Sequence, residues 1–284
     1  MNLRRLATAA VTLMTCTTAF ATGQECDIIT INGTEWGLLA RPVCFDGTLR
    51  KAVTTALPGD RGINTANWEG FTGHWTVRND SLFLDKITYE VYNSNADGYT
   101  IREVNAATLD SIFAPYKTPG GIHAAWVSGE LRAGRGSLVR YVHSGFDRNV
   151  ETENVMQVTG GIVTGSRVYH NSITPGTPLD SAAVEVSRRF PWKQFPELAG
   201  KRLVFNVSSC TVTPDGRLID LEAKLMRMGN DNVYKADGPV VEAFKDAMRA
   251  IFPWKTLHIN GKDMMEHESY TFPVKEGMGD GDKP

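Results

Sequence analysis

Hydrophobic positions along the chain follow two patterns separated by a polar break. From residue 27 to about 170, short runs rich in Val, Ile, Thr and aromatic residues alternate with turn residues at close intervals. That is how an antiparallel sheet or sandwich reads. The runs at 73–78, 81–84, 87–92, 124–129, 137–143, 153–159 and 162–169 are expected strands. In 87–92 the alternation breaks down towards the end, which fits a strand covered on both faces or twisted. Apolar residues recur at three or four near 49–57 and 106–113, predicting two short helices. Asn32-Gly33 predicts a hairpin, because a type I′ turn needs positive φ at both central residues.

Residues 171–180, Asn-Ser-Ile-Thr-Pro-Gly-Thr-Pro-Leu-Asp, have no hydrophobic period, and 171–189 read as a linker. Beyond it, runs at 202–210 and 217–226 are strands joined through Thr213-Pro214-Asp215-Gly216. A helix then starts at Asp237-Gly238-Pro239, with Val240, Val241, Phe244, Met248 and Ile251 on one face, and Pro253 stops it. Asn260-Gly261 marks a second turn, 268–275 a last strand, and 277–284 a flexible tail. The expected class is α+β, mostly β: an antiparallel β-rich domain over 22–170 and a small β-β-α-β domain over 190–276.

Composition narrows the possibilities without naming a reaction. The 284 residues are 42% hydrophobic and 22% charged, with Lys+Arg 30 against Asp+Glu 32, which excludes a disordered polymer, a collagen and a coiled coil. A near-neutral chain lacks the clustered basic excess that phosphate binding requires, so no nucleic-acid partner is expected. Residues 1–21 read as a secretory signal: Arg4 and Arg5, an apolar stretch from Leu6 to Phe20, and an Ala19-Phe20-Ala21 cleavage site. The alternatives are an uncleaved anchor and, after Leu13-Met14-Thr15, a lipid-modified Cys16. No second long apolar run follows, so the mature chain should carry no transmembrane span. Periplasmic export is the expectation, with outer-membrane association or secretion as the other addresses. An oxidising compartment permits disulfides, and a hairpin at Asn32-Gly33 would bring Cys26 and Cys44 together. Such a bridge contributes on the order of 3 kcal/mol; the alternative is three buried thiols, Cys210 included.

Phe195-Pro196-Glu197-Leu198, Val212-Thr213-Pro214-Asp215-Gly216-Arg217-Leu218, the amphipathic helix, Phe252-Pro253-Trp254, Asn260-Gly261-Lys262 and Tyr270-Thr271-Phe272-Pro273-Val274 stand in the order found in TonB C-terminal domains. The chain resembles that family over about 190–275. The resemblance implies binding of a cell-envelope protein or peptide, by adding a strand to a sheet edge formed by Tyr270, Phe272 and Val274. The short break at 171–180 cannot span a periplasm, so energy transduction is not implied. The first half, through Thr65-Ala66-Asn67-Trp68-Glu69-Gly70-Phe71, Gly129-Glu130-Leu131-Arg132 and Tyr141-Val142-His143-Ser144-Gly145-Phe146, resembles an uncharacterised family of bacterial exported proteins, which implies no activity.

Candidate chemistry is sparse. Gly160-Gly161-Ile162-Val163-Thr164-Gly165-Ser166-Arg167 has the glycine spacing of a phosphate loop, but Arg stands in place of Lys and a strand follows, so no nucleotide is expected. There is no G-x-S-x-G or H-E-x-x-H, and the six histidines show no ligand spacing, so neither cofactor nor metal is implied. In Glu266-His267-Glu268 a strand would point the histidine away from both carboxylates. If 137–143 and 153–159 pair as a hairpin, His143 meets Glu151 or Glu153 across the ladder. That pair would serve a hydrolase-type enzyme as acid and base, or be an ordinary buried hydrogen bond. Trp36, Trp68, Trp75 and Trp126 would line a ligand cleft or fill the β core. A purely structural envelope protein is the remaining alternative.

Overall fold

The computed structural model describes residues 23–92, 98–267 and 269–279. The expected signal, Cys16 included, lies outside them. The fold is α+β and mostly β.

Ten strands build the first half: β1 (Asp27–Ile31), β2 (Thr34–Leu38), β3 (Thr72–Arg78), β4 (Ser81–Tyr92), β5 (Tyr99–Glu103), β6 (Lys117–Thr118), β7 (Gly121–His123), β8 (Gly129–Tyr141), β9 (Arg148–Thr159) and β10 (Ile162–His170). They form one sheet in the order β10-β9-β8-β2-β1-β3-β4-β7-β6, with β5 also on β4. Only β1 and β3 are parallel among these pairs. The sheet curls until β10 meets β4 at Ile162 and Ser81, enclosing a core that includes Phe71, Trp75 and Phe113. The β1–β2 hairpin turns at Asn32 (φ 50) and Gly33 (φ 74), as the Asn-Gly pair predicts. Two helices cover the barrel-like sheet: α1 (Gly47–Ala56), whose first amides at Thr48 and Leu49 are capped by Asp46, and α2 (Ala106–Ile112), capped by Asn105.

Two strand expectations change. The runs at 81–84 and 87–92 are one strand, because Asp85 is an extra residue opposite the His74-Trp75 step and shifts the alternation. Of the run expected at 124–129, residues 124–128 turn instead, with Ala125 N–H on His123 O and Trp126 Nε1–H on Pro42 O (2.9 Å), and Gly129 starts β8.

The second half holds β11 (Ser172–Thr174), α3 (Ala182–Arg189), β12 (Arg202–Val212), β13 (Leu218–Met228), β14 (Asp231–Lys235), α4 (Pro239–Arg249), β15 (Thr256–Ile259), β16 (Lys262–Met264) and β17 (Tyr270–Lys275). A four-stranded sheet, β14-β13-β12-β17, lies beside a three-stranded one, β11-β15-β16. Helix α4 buries Val241, Phe244, Ala247 and Met248. The Phe244 ring stacks on Phe205 at 4.0 Å and meets Phe272 edge-on at 5.9 Å. Each such side chain contributes about 1.5–3 kcal/mol by burial.

The linker expected at 171–189 is folded. Its β11 pairs with β15, and Leu179, Ala182, Ala183 and Val186 enter the second core. Pro and Gly remove local periodicity, but a three-residue strand needs only a partner from elsewhere. Asn171 joins the halves: Nδ2 donates to Val150 O (2.7 Å) and Oδ1 accepts from Asn260 N–H (2.8 Å). The tail also begins later than expected, since Met278 is buried in the second core; 280–284 lie outside the described residues. Among the described residues no helix is long and apolar enough to cross a membrane.

The Asp215-Gly216 turn and the Pro253-Trp254 pair, distant in sequence, meet in space. Trp254 N–H donates to Gly216 O (2.8 Å), while Thr177 N–H donates to Pro253 O and Lys255 N–H to Thr177 O. Gly216 has φ +86, and a Cβ there or at Gly176 would collide with the Trp254 main chain.

Candidate functional site

The His143–carboxylate pair is not assembled. Strands β8 and β9 do form a hairpin, but the ladder ends at Tyr141 opposite Arg148, leaving His143 in the connection. Its ring contacts Tyr141 (centroids 4.7 Å). Glu151 takes Ser137 N–H (3.0 Å) across a bulge that Gly136 makes with φ +90. Glu153 is fully buried, accepting from Asn149 Nδ2 (3.1 Å) and Val150 N–H (3.0 Å) with Arg132 at 3.6 Å. These are three separate environments, two of them internal supports of the hairpin.

The Cys26–Cys44 bridge is not formed either; Cys26, Cys44 and Cys210 are free thiols. Cys26 precedes β1 and accepts from Arg148 Nη2 (2.7 Å), whereas Cys44 sits beyond β2 in a 3-10 turn packed on the first core. The hairpin joins its own flanks, and Cys44 lies past them. Burial pushes the Cys44 and Cys210 thiols up to about 11, and raises Cys26 against the opposing charge of Arg148.

Strand β17 is an edge, as expected, but its side chains face inward. Phe272 and Val274 are fully buried, and Tyr270 is half-buried against the same core. Burial, then the charges of Asp180 and Glu266, raise the Tyr270 pKa. The main-chain edge is largely closed as well. Lys275 N–H donates to Ser187 Oγ of α3 (3.2 Å), so by alternation Thr271, Pro273 and Lys275 aim their main-chain groups away from β12. Pro273 has no N–H and that of Lys275 is taken, which leaves Thr271 as the outward amide of the strand.

Among the described residues β5 is an exposed edge strand. All five of its residues are exposed, its pairing with β4 runs from Tyr92–Tyr99 to Thr88–Glu103 without a shift, and it contains neither Pro nor Lys. Val104 N–H donates to Ile87 O (2.9 Å). Alternation therefore aims the main-chain groups of Tyr99, Ile101 and Glu103 away from β4. The sequence signal was present, Tyr99 and Ile101 alternating with Thr100 and Arg102, but it falls in a five-residue run.

Beside this edge a cleft of about 310 Å³ opens on the outer face of β1, β3, β4 and β5, lined among others by Ile28, Asn67, His74, Thr88, Glu90 and Ile101. His74 Nε2 lies 2.9 Å from Thr88 Oγ1; burial, then Lys86, lowers its pKa, favouring neutral imidazole. Burial, then Glu25, raises that of Glu90. Asn67 is held by a buried network: Arg41 Nη1 donates to its Oδ1 (2.6 Å) and to Phe71 O (3.0 Å), and Gly70 N–H donates to the same Oδ1 (3.0 Å). Of the four tryptophans, Trp36 and Trp75 are buried and Trp126 packs on the core, leaving Trp68 63% exposed. The cleft is therefore not a tryptophan box. Its polar lining includes the Thr88 hydroxyl within hydrogen-bond distance of the His74 imidazole.

No family model matches the chain, and no curated protein or solved structure matches it either. What the fold and the site define is a mostly-β α+β protein with an exposed edge strand, β5, next to an amphipathic cleft.

Proposed function

We propose that this chain is an exported, periplasmic interaction protein that binds an extended segment of a cell-envelope protein by strand addition, and that the docking edge is β5. The observation that carries the reading is the exposure of Tyr99, Ile101 and Glu103, whose outward main-chain groups are met by neither Pro nor Lys within β5. Sheet edges are ordinarily blunted by Pro, Lys, bulges or a covering element, as β17 is by Pro273 and α3. An added strand would bond to the outward groups of Tyr99, Ile101 and Glu103, and the neighbouring cleft would receive one of its side chains. The signal at 1–21 and the TonB-like order of motifs support an envelope partner. The break between the two cores is too short for an energy-transducing spacer.

The test is site-specific photo-crosslinking in cells with the full chain. A crosslinker at Tyr99 should capture one defined envelope protein, and Ile101→Pro, which removes an outward N–H and leaves the β4 ladder intact, should abolish the adduct without changing the melting temperature. A crosslinker at Thr271 should capture nothing. Capture at Thr271 but not Tyr99, or an adduct insensitive to Ile101→Pro, would overturn the assignment of the edge.

A further inference from the structure

We infer that the second core carries a binding site for a soft monovalent cation, Cu(I) or its analogue Ag(I), formed by Cys210, Met264, Met265 and His267. Strand β12 runs on past the end of β17, whose last pair is Tyr270 with Val207. Its register against β13 then shifts between Val207 and Ser209. The chain leaving β16 at Met264 returns along the side of this stretch that β17 does not reach. Between them lies a solvent-open groove of about 290 Å³ lined by Ser208, Ser209, Cys210, Met264, Met265 and His267, of which Met265 alone is buried.

The donor set is unusual for a space of this kind. Two adjacent methionines, a free thiol and an imidazole line one solvent-open groove, a concentration of soft donors at a protein surface. They are graded in depth: Met265 is buried, Met264 and Cys210 half-buried, and His267 exposed with its ring stacked on Tyr270 at 5.8 Å. The three rotatable bonds of each thioether let the sulfurs close on an ion without moving the main chain.

Ligand type decides which ion. Thiol and thioether sulfur suit Cu(I), while hard divalent cations need carboxylate or carbonyl oxygen. The carboxylates that flank the methionines in sequence are turned elsewhere: Asp263 Oδ1 meets His258 Nδ1 (2.6 Å), and Glu266 Oε2 accepts from Leu179 N–H (3.0 Å) and Oε1 from Lys255 Nζ (2.5 Å). Among the described residues no three His, Cys, Asp or Glu side chains converge as a metal site, so a zinc-type set is not present. Coordination by Cys210 forms a sulfur–metal bond and releases the thiol proton to solvent, with no change in oxidation state when the metal is supplied as Cu(I).

The site is tested with the full chain, reduced and anaerobic, by Cu(I) titration against a chromophoric chelator and by native mass spectrometry with Ag(I). One equivalent should be retained, and Cys210→Ser, Met264→Leu and His267→Asn should each weaken it by about tenfold or more. The Cys26→Ser/Cys44→Ser double variant should bind as the parent does. Circular dichroism identifies any variant that fails to fold; exposed His267→Asn and Met264→Leu then decide. The assignment is overturned by failure to hold one equivalent against the chelator or by loss of binding that follows Cys26 and Cys44. Equal retention of Zn(II), or folded Met264→Leu and His267→Asn chains that bind like the parent, would overturn it too.

Discussion

Trp254→Ala is expected to lower stability by about 3–5 kcal/mol, the largest effect of any single truncation in the second core. Its side chain is fully buried and Nε1–H donates to Met248 O (3.2 Å) at the end of α4. The main chain on either side is clamped by Gly216 and Thr177. Truncation removes the indole volume and one donor to Met248 O, which keeps the Ile251 N–H (3.2 Å), so the cavity carries the cost. Gly216→Ala approaches the same site from the opposite side, placing a Cβ at positive φ against the Trp254 carbonyl. Urea unfolding followed by a probe in each half should show the second transition moving to lower denaturant, with the first nearly unchanged. A loss of less than about 1 kcal/mol for Trp254→Ala would mean that the clasp tolerates a void, contrary to the behaviour of packed cores.

The second large effect is a fall in stability between about pH 4 and pH 7 caused by Asp27. This carboxyl is fully buried; burial pushes its pKa from 3.8 up to about 6, against donation from Trp75 Nε1–H (2.9 Å) and Gly73 N–H (3.0 Å) and the charge of Arg41. A raised folded pKa means that the folded state holds the proton more tightly. The stabilisation is therefore complete below 3.8 and is lost as pH rises through about 6. About two pKa units correspond to about 3 kcal/mol. His74 acts in the opposite sense, since its lowered pKa makes stability rise as pH climbs towards 6.5. The difference between the parent and Asp27→Asn therefore isolates Asp27: parent minus variant should decrease by about 3 kcal/mol as pH rises from about 4 to 7. An unchanged difference across that range would show that Asp27 does not titrate there.

Elements were legible where the information is local. Asn32-Gly33 and Asn260-Gly261 both turn with positive φ, the residues around Asp215-Gly216 reverse the chain between β12 and β13, and the apolar face of 240–251 buries Val241, Phe244, Met248 and Ile251. These follow from side-chain period and turn chemistry, which neighbouring residues decide. The candidate site was much less legible. His143, Glu151 and Glu153 lie on neighbouring segments of the sequence, yet one bulge and the end of a ladder place them in separate environments. Cys26 and Cys44 flanked the right hairpin but not closely enough to join. At 171–189 no local period existed, because β11 is defined by β15, some eighty residues away.

The sequence by itself determined that the chain is mostly β with an α+β second half, where its tight turns fall, and which helix faces are apolar, since short-range sterics and periodic burial set those. Which edge strand lies exposed, which histidine and which thiols find company, and where a donor-lined groove opens were decided only by the tertiary structure. Each depends on register and on the packing of elements far apart in the chain, and a one-residue shift such as that at Asp85 changes the face that every later residue presents.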